Sequence, residues 1–548
     1  MLRIKLVFTI LLLASVVSAQ KLKKADKLTR DNLEAHIRFL ADDKLEGRRA
    51  GSSGEKLAME YIREKFRTTG LLAKGSDDYY QPFDINEGIQ INEGTYFTIN
   101  ETALVAGKDF FPFPFSAEKT IEASPAVAIQ EADMPWFIDL KDILEENKAN
   151  PHFDLIQYIK NNSKKAYDRA ATAVIIYNTS ADGDKLAFNP KDKLEPISIP
   201  VIYIMKDAAK KYFSDATATL KLKMNVDMGE KKRTGHNVIG YIDNGVPTTV
   251  ILGAHFDHLG YGEDGNSMLR TGEKLIHNGA DDNASGTAAL IEMARILKTT
   301  KAKHNNYLFI AFSGEELGLF GSKYFTEHPT IDLATANYMI NMDMIGRLND
   351  STKTLAVGGY GTSPAWATVI NTRDRRLPFS IKIDSSGTGP SDHTSFYRKD
   401  IPVLFFFTGQ HKDYHRPTDD ADKINYEGEL GVVNYINAII TSLNKQTQKL
   451  VFIKTRETSV SMAPFKVTLG IMPDYTFSGT GVRADGVTDG RPASKAGLKA
   501  GDIIIQLGEN VITSIENYMQ ALNKFNKGDK TKVKYKRGNE TIESDIQL

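Results

Sequence analysis

The sequence predicts an α/β protein built on a mostly parallel β-sheet, with a β-rich region inserted into it and a small β-rich domain after it. Three observations carry that prediction. Between residues 236 and 450, short apolar runs rich in β-branched residues alternate with stretches of helical periodicity, the order of a parallel sheet with helices on both faces. Between 111 and 235 short strand candidates dominate instead. From 455 to 548 runs a strand-rich stretch of small-domain size. At 548 residues the chain is too long for a single core, and about two to four domains are expected.

The elements follow in order. The opening MLRIKLVFTILLLASVVSAQ reads as a signal peptide over residues 1–19. Arg3 and Lys5 form its charged start, the apolar run follows, and Val17 and Ala19 suit a cleavage point before Gln20. The run is too short for a membrane span, and no later stretch would make one. The mature chain is therefore expected to be exported, periplasmic or extracellular, with no membrane span. Thr29 to Ala41 reads as an amphipathic helix. After a Gly/Ser loop, Leu57, Tyr61, Ile62 and Phe66 recur at helical spacing, and Gly70 supplies a stop. In the inserted region SPAVAIQ, ATAVIIYN, ISIPVIYIM and ATLKLKMNV are strand candidates, with a helical piece around Lys160 to Ala170. HNVIGYID and TTVILGAHFDH read as strands, and NASGTAALIEMARILKT as a helix capped by Asn283 or Ser285. YLFIAF, ANYMINM and IPVLFFF are further strands. The last region opens on FKVTLGIMPDY and holds a helix near Ser514 to Phe525.

Composition excludes several function classes. Lys plus Arg and Asp plus Glu number 69 each, so there is no whole-chain basic field for nucleic acid. There is no cysteine, which removes disulfides, thiolate metal sites and cysteine nucleophiles. A transition metal would have to be held by histidine and carboxylate.

The strand ends carry such residues. After TVILGA come His255 and Asp257; NGADDNASG places Asp281 and Asp282 before a helix; after YLFIAFSG come Glu315 and Glu316; after YMINM comes Asp343; after VLFFFTGQHKDY comes His415. In open α/β sheets ligands bind outside the carboxyl ends of the strands, so these groups are expected at one rim. Two imidazoles and several carboxylates suit zinc or another divalent ion, and a bridging carboxylate suits two ions about 3.5–4 Å apart. Two adjacent glutamates repel each other. If Glu316 ligates a metal, Glu315 is free beside it to move protons.

These segments resemble the cocatalytic dizinc aminopeptidase family, of the bacterial leucyl aminopeptidase and aminopeptidase Y type. GAHFDH, NGADDNASGTAAL, FSGEELGLFGS, NMDMIG, SDHTSF and YHRPTD fall in the family's order. The resemblance implies a discontinuous zinc peptidase domain over residues 20–110 and 236–450, with two Zn2+ per chain, other divalent metals fitting the same donors. It implies that His255 and Asp343 hold one zinc, Glu316 and His415 the other, and that Asp281 bridges them. Glu315 would be the general base for metal-activated water, and Tyr414 would steady the oxyanion. Asp257 would orient His255 and Asp419 would orient His415, with Asp392 and His393 in support. The activity implied is removal of N-terminal residues from peptides. A carboxypeptidase or dipeptidase on the same scaffold would need a cation for the substrate carboxylate, and Arg347 is the candidate.

Residues 111–235 resemble a protease-associated domain through ATAVIIYN and ISIPVIYI. Residues 455–548 resemble a PDZ domain of the bacterial protease type, through VTLGIMPDY and RPASKAGLKAGDIIIQLGENVI. The resemblance implies that backbone N–H groups at Leu469, Gly470 and Ile471 capture a peptide or protein C-terminus. A PDZ-mediated peptide-binding protein without catalysis is the other alternative, and the complete ligand set stands against it.

Overall fold

Four parallel strands form the centre of the molecule. In a computed structural model they lie in the order Asn306–Phe312, Thr249–His255, Ala336–Met342 and Val403–Phe407. The structure describes residues 24–148, 153–190, 192, 195–215, 217–269, 271–446, 448–455, 467–473, 477, 479–488, 490–513 and 515–548; the leader expected over residues 1–19 lies outside them. Among the described residues the full sheet has nine strands, with antiparallel strands joining on the outer side of Asn306–Phe312 and at Thr354–Gly358.

Side-chain alternation explains why these runs form strands buried on both faces. Val250, Leu252 and Ala254, with Tyr307, Phe309 and Ala311, pack into one core. Ile251, with Leu308, Ile310 and Phe312, packs into the other. Every residue of both strands is buried, as a sheet covered by helices requires. The first core is covered by helices Lys24–Leu40, Ser53–Thr69, Gly286–Thr299 and Tyr426–Leu443. The second is covered by Phe320–Glu327 and His393–Tyr397. Full burial of a side chain such as Phe309 contributes roughly 1.5–3 kcal/mol.

Local signals set the helix ends. Ser52 accepts from Glu55 N at the start of Ser53–Thr69, and Gly70 ends it in the left-handed region at φ 81°. Asn283 Oδ1 accepts from Gly286 N at 2.9 Å and caps the helix Gly286–Thr299.

Two strands, Tyr80–Ile91 and Met228–Ile242, pair antiparallel and lead out of the sheet to the inserted region. That region holds two four-stranded sheets. One is Thr102–Leu104, Tyr96–Ile99, Leu222–Asn225 and Thr120–Ala123; the other is Phe110–Pro112, Val201–Ile204, Ala173–Tyr177 and Pro135–Asp139. The insert thus begins before residue 111, because Tyr96–Ile99 pairs with Leu222–Asn225. SPAVAIQ is not a strand: Thr120–Ala123 ends just before Ser124 and Pro125, and proline cannot donate to a ladder. The C-terminal region has its own core around Leu469, Ile504, Val533 and Tyr535, and its helix runs Ile515–Leu522. Among the described residues no helix is long and apolar enough to cross a membrane.

Candidate metal centre

His255 is the last residue of the strand Thr249–His255, and its neighbours on either side end at the same level. Asn306–Phe312 leads into Ser313, Gly314, Glu315 and Glu316, and Ala336–Met342 leads into Asp343. Gly314 stands in the left-handed region at φ 68°, which turns the chain between strand and glutamates. The strand order reverses at Thr249–His255, with the next strand in sequence on one side and the following one on the other. That is where open α/β sheets bind ligands.

The side chains converge in two groups. In the first, His255 Nε2 lies 3.4 Å from Asp282 Oδ1 and 3.4 Å from Asp343 Oδ1. In the second, His415 Nε2 lies 3.2 Å from Asp282 Oδ2 and 3.2 Å from Glu316 Oε2. Asp282 offers one oxygen to each. Tetrahedral ligands about 2.0–2.1 Å from a zinc ion sit roughly 3.3–3.4 Å from one another, so the spacings fit. His255, Asp282 and Asp343 are close enough to hold one ion, and so are His258, Asp282 and Glu316. The donors are nitrogen and oxygen throughout, a set that suits zinc.

The bridging position therefore differs from expectation. Asp281 points away: its Oδ1 accepts from Gly346 N at 2.7 Å and from Ser285 Oγ at 3.1 Å, and its Oδ2 meets His411 Nε2 at 3.1 Å. The turn Ala280–Ser285 explains the choice, because Asp419 Oδ2 accepts from both Asp281 N and Asp282 N, at 3.0 and 3.1 Å. Holding both amides fixes the backbone so that only Asp282 faces the rim. The Asp282–Asn283 peptide is cis.

The supporting residues also differ. Asp419 does not orient His415, being committed to those amides; the Nδ1 of His415 lies 2.9 Å from the Asn266 carbonyl oxygen. Asp257 stands near His255, but its backbone oxygen is closer to Nδ1 (3.2 Å) than its carboxylate is (3.7 Å). That carboxylate accepts from Glu315 N at 3.1 Å and Glu316 N at 3.4 Å, so it braces the glutamate turn. Asp392 is buried within the field of His255, Asp257 and Asp343, and burial pushes its carboxyl up to about 7. His393 instead stacks on Phe405 at 4.5 Å, and burial pulls it down to about 3. Tyr414 lines the cavity over the two groups and stacks on His415 at 3.8 Å.

Sequence reasoning missed His258, Asp282 as the bridge, and Arg48. His258 Nδ1 lies 2.8 Å from Glu316 Oε1 and holds the oxygen that faces away from His415; its signal was the second histidine of AHFDH. Arg48 is fully buried and donates to the carbonyls of Phe256, Leu40, Asn278 and Gly279. It thereby ties the segment after His255 to the segment before Asp281.

The adjacent glutamates are driven apart electrostatically. Burial pushes Glu315 well above the usual carboxylate range, with His255 opposing and Asp343, Asp392 and Glu316 adding to it. Burial works against Glu316 too, but His415 and His258 overcome it and hold Glu316 well below that range. A carboxylate pair separated in this way has distinct acid–base and ligand roles. Glu315 Oε2 stands 4.0 Å from His255 Nε2 and joins neither group.

In the C-terminal region, Leu469 is buried, Gly470 is left-handed at φ 75°, and Ile471 opens the strand Ile471–Pro473. The N–H of Gly470 is taken by Thr468 Oγ1 at 3.1 Å, so it is not the open donor expected.

Residues 237–439 match the model of Peptidase family M28, and residues 462–548 match the PDZ domain. Aminopeptidase YwaD of Bacillus subtilis (strain 168) is 29% identical over 316 residues, 55% of this chain and 63% of the relative. Leupeptin-inactivating enzyme 1 of Streptomyces exfoliatus is 30% identical over 193 residues, 35% of this chain and 39% of the relative. A solved structure of BSAP, a zinc aminopeptidase from Bacillus subtilis, aligns over 77% of this chain and 98% of its own at 22% identity, with a TM-score of 0.42. The chain spans less than two thirds of the length of the two curated relatives.

Proposed function

We propose, from the premise that this chain carries a domain of peptidase family M28 followed by a PDZ domain, that it is a zinc-dependent aminopeptidase releasing N-terminal residues from peptides. The observation that carries the reading is the placement of Asp282 between two imidazole–carboxylate groups, with Glu315 beside them and in neither. His255, Asp282 and Asp343 would hold one ion, and Asp282, Glu316 and His415 the other. Two such ions would polarise the scissile carbonyl and lower the pKa of water. Glu315 takes the proton from the attacking water and hands it to the leaving amine. The Tyr414 hydroxyl steadies the oxyanion. Among the described residues lining the cavity, Asp282, Glu315, Glu316 and Asp343 are acidic, none is Lys or Arg, and Met344, Pro390, Phe405 and Phe407 form an apolar wall. A cationic N-terminus with an apolar first side chain suits such walls better than a substrate carboxylate does. Arg347, the cation a carboxypeptidase would use, is paired with Asp413 at 3.2 Å and is not part of the lining.

The test is hydrolysis of aminoacyl-arylamides with free and with blocked amino groups, with and without a chelator, beside Glu315→Gln. Chelator-sensitive release from free-amine substrates, reduced about 10²–10⁴-fold in Glu315→Gln with metal content retained, supports the reading. Release from blocked substrates alone would overturn it. We further read residues 1–19 as a signal peptide that exports the chain, the region bounded by the strands Tyr80–Ile91 and Met228–Ile242 as a protease-associated module, and the PDZ domain as a receptor for peptide C-termini. Cell fractionation checks the first, substrate-length dependence after excision of the insert checks the second, and titration with C-terminally free against amidated peptides checks the third.

A further inference from the structure

A cluster of ion pairs lies where the stalk of the insert passes the metal centre. Asp264 accepts a bidentate pair from Arg49, with Nε at 2.8 Å and Nη2 at 2.9 Å, and a third contact from Arg233 Nη2 at 3.1 Å. Glu87 joins the same guanidinium groups, 3.0 Å from Arg49 Nη2 and 3.2 Å from Arg233 Nε, and lies 3.1 Å from Lys231 Nζ. Glu263 stands at the edge, 4.0 Å from Arg49 Nε. The side chains of Glu87, Asp264 and Arg233 are only 16%, 15% and 10% exposed.

Each residue arrives from a different direction. Arg49 follows Arg48, and the segment it belongs to bridges to His258. Glu87 and Arg233 belong to the two stalk strands Tyr80–Ile91 and Met228–Ile242. Lys231 pairs with Gly88 and Lys232 with Asn86, so Glu87 is the extra residue of a β-bulge. A bulge next to a functional site re-aims a side chain, and here it aims the carboxylate at Arg49 and Arg233. Arg233 in turn packs its stem on Gly51, where a Cβ would come within 2.9 Å of Arg233 Cδ.

Asp264 sits two residues before the segment that holds His415. The Asn266 carbonyl oxygen lies 2.9 Å from His415 Nδ1, and Asn266 Nδ2 donates to the Glu316 carbonyl at 3.2 Å. Met268 N donates to the His415 carbonyl at 2.8 Å. The chain around it turns at the left-handed Gly262 and Gly265, where Gly265 N donates to the Gly262 carbonyl at 3.2 Å, and beyond Asn266 the Ser267 hydroxyl meets His277 Nε2 at 2.7 Å. Asp264 adds the charged anchor on the N-terminal side of Asn266.

We infer that Asp264 is a positioning residue for His415, and that the clamp on Asp264 couples the stalk of the insert to one half of the metal centre. This rests on the proposed function only in that it takes His415 and Glu316 as ligands. The other group, His255, Asp282 and Asp343, receives no hydrogen bond from residues 264–268 among those described. The clamp therefore acts more directly on the ion beside His415 than on the one beside His255, with Asp282 shared between them. Movement of the insert that shifts Glu87 and Arg233 would be felt first at His415.

The test is zinc titration of the metal-free full chain against a competing chelator. The wild-type chain is compared with Asp264→Asn, Asp264→Glu and Arg233→Met, with thermal unfolding of each metal-free form. Expected are two equivalents in the wild type, and one of them weakened about 10–100-fold in Asp264→Asn and in Arg233→Met, the other less. Asp264→Glu keeps a carboxylate for Arg49 and recovers most of the lost affinity. If Asp264→Asn does not fold, Arg233→Met carries the comparison. Two unchanged equivalents in these variants would overturn the clamp and leave the metal centre standing. Equal weakening of both, in step with a lowered melting temperature, would also overturn it, since that is general destabilisation. A wild-type chain that takes up no zinc would overturn the metal-centre reading and the clamp together.

Discussion

Asp281 and Asp282 are adjacent and chemically identical, yet they face opposite tasks. Asp282 stands between two imidazoles, and Asp281 binds the backbone of Gly346 and the ring of His411. Asp282→Asn is expected to lose metal from both groups and to abolish hydrolysis. Asp281→Asn should keep its metal and lose about 1–3 kcal/mol of stability, the cost of weakening buried hydrogen bonds to a charged group. Metal analysis and urea unfolding of the two variants separate these outcomes. Arg48 is the second residue of consequence. Burial pulls its guanidinium down to about 10, with the charges of Asp257 and Asp282 opposing, so it stays protonated at neutral pH. Arg48→Met would leave four carbonyls without their donor and should cost at least about 3 kcal/mol. Arg48→Lys should recover only part of that, because an ammonium lacks the planar fork. Chemical denaturation of both variants checks the order.

At the level of elements, the helices Lys24–Leu40 and Gly286–Thr299 are pinned together by Glu292. It is 1% exposed, accepts from Asn32 Nδ2 at 3.0 Å, and takes a bidentate pair from Arg295, which also reaches Thr29. Burial opposes its charge, but His36, Arg295 and Asn32 outweigh burial and hold Glu292 below its ordinary range. A carboxyl lowered on folding adds stability above its unfolded pKa of about 4.3, and that stability is lost as pH falls through the folded value. Glu292→Gln should therefore reduce stability near pH 7 by about 1–3 kcal/mol and flatten its decline below about pH 4, as read from denaturation midpoints across pH. The strands were the most legible elements. Apolar runs such as YLFIAF and YMINM end abruptly in acids, and parallel pairing carries those ends to one rim. The turn Ala280–Ser285 was not legible, because the choice between its two aspartates is made by Asp419, more than a hundred residues away. The same holds for His415: its partner is a backbone carbonyl at Asn266, and carbonyls leave no mark in a sequence. Segments that look extended but contain proline, such as SPAVAIQ, mislead for a local reason.

At the level of the whole molecule, the C-terminal core around Leu469, Ile504 and Val533 shares no residue, among those described, with the cores that pack the nine-stranded sheet. A chain ending at residue 455 is expected to hydrolyse small arylamides at the full-length rate, within about twofold as for independently folded units. Assay of both forms under identical metal loading checks this. Ions that bind only the folded chain also stabilise it, so a chelator should lower the melting temperature and added zinc should restore it. The order of strands across the sheet has one more outcome, and it concerns timing. Thr249–His255 and Val403–Phe407 lie on either side of Ala336–Met342, and His415 comes later still in the chain. A polypeptide emerging from its N-terminus has three of the four central strands long before it has the last imidazole. Chains arrested before residue 400 should be inert in a cell-free translation assay even where they collapse. Under the proposed function, hydrolysis is therefore expected only once the last central strand and His415 are in place.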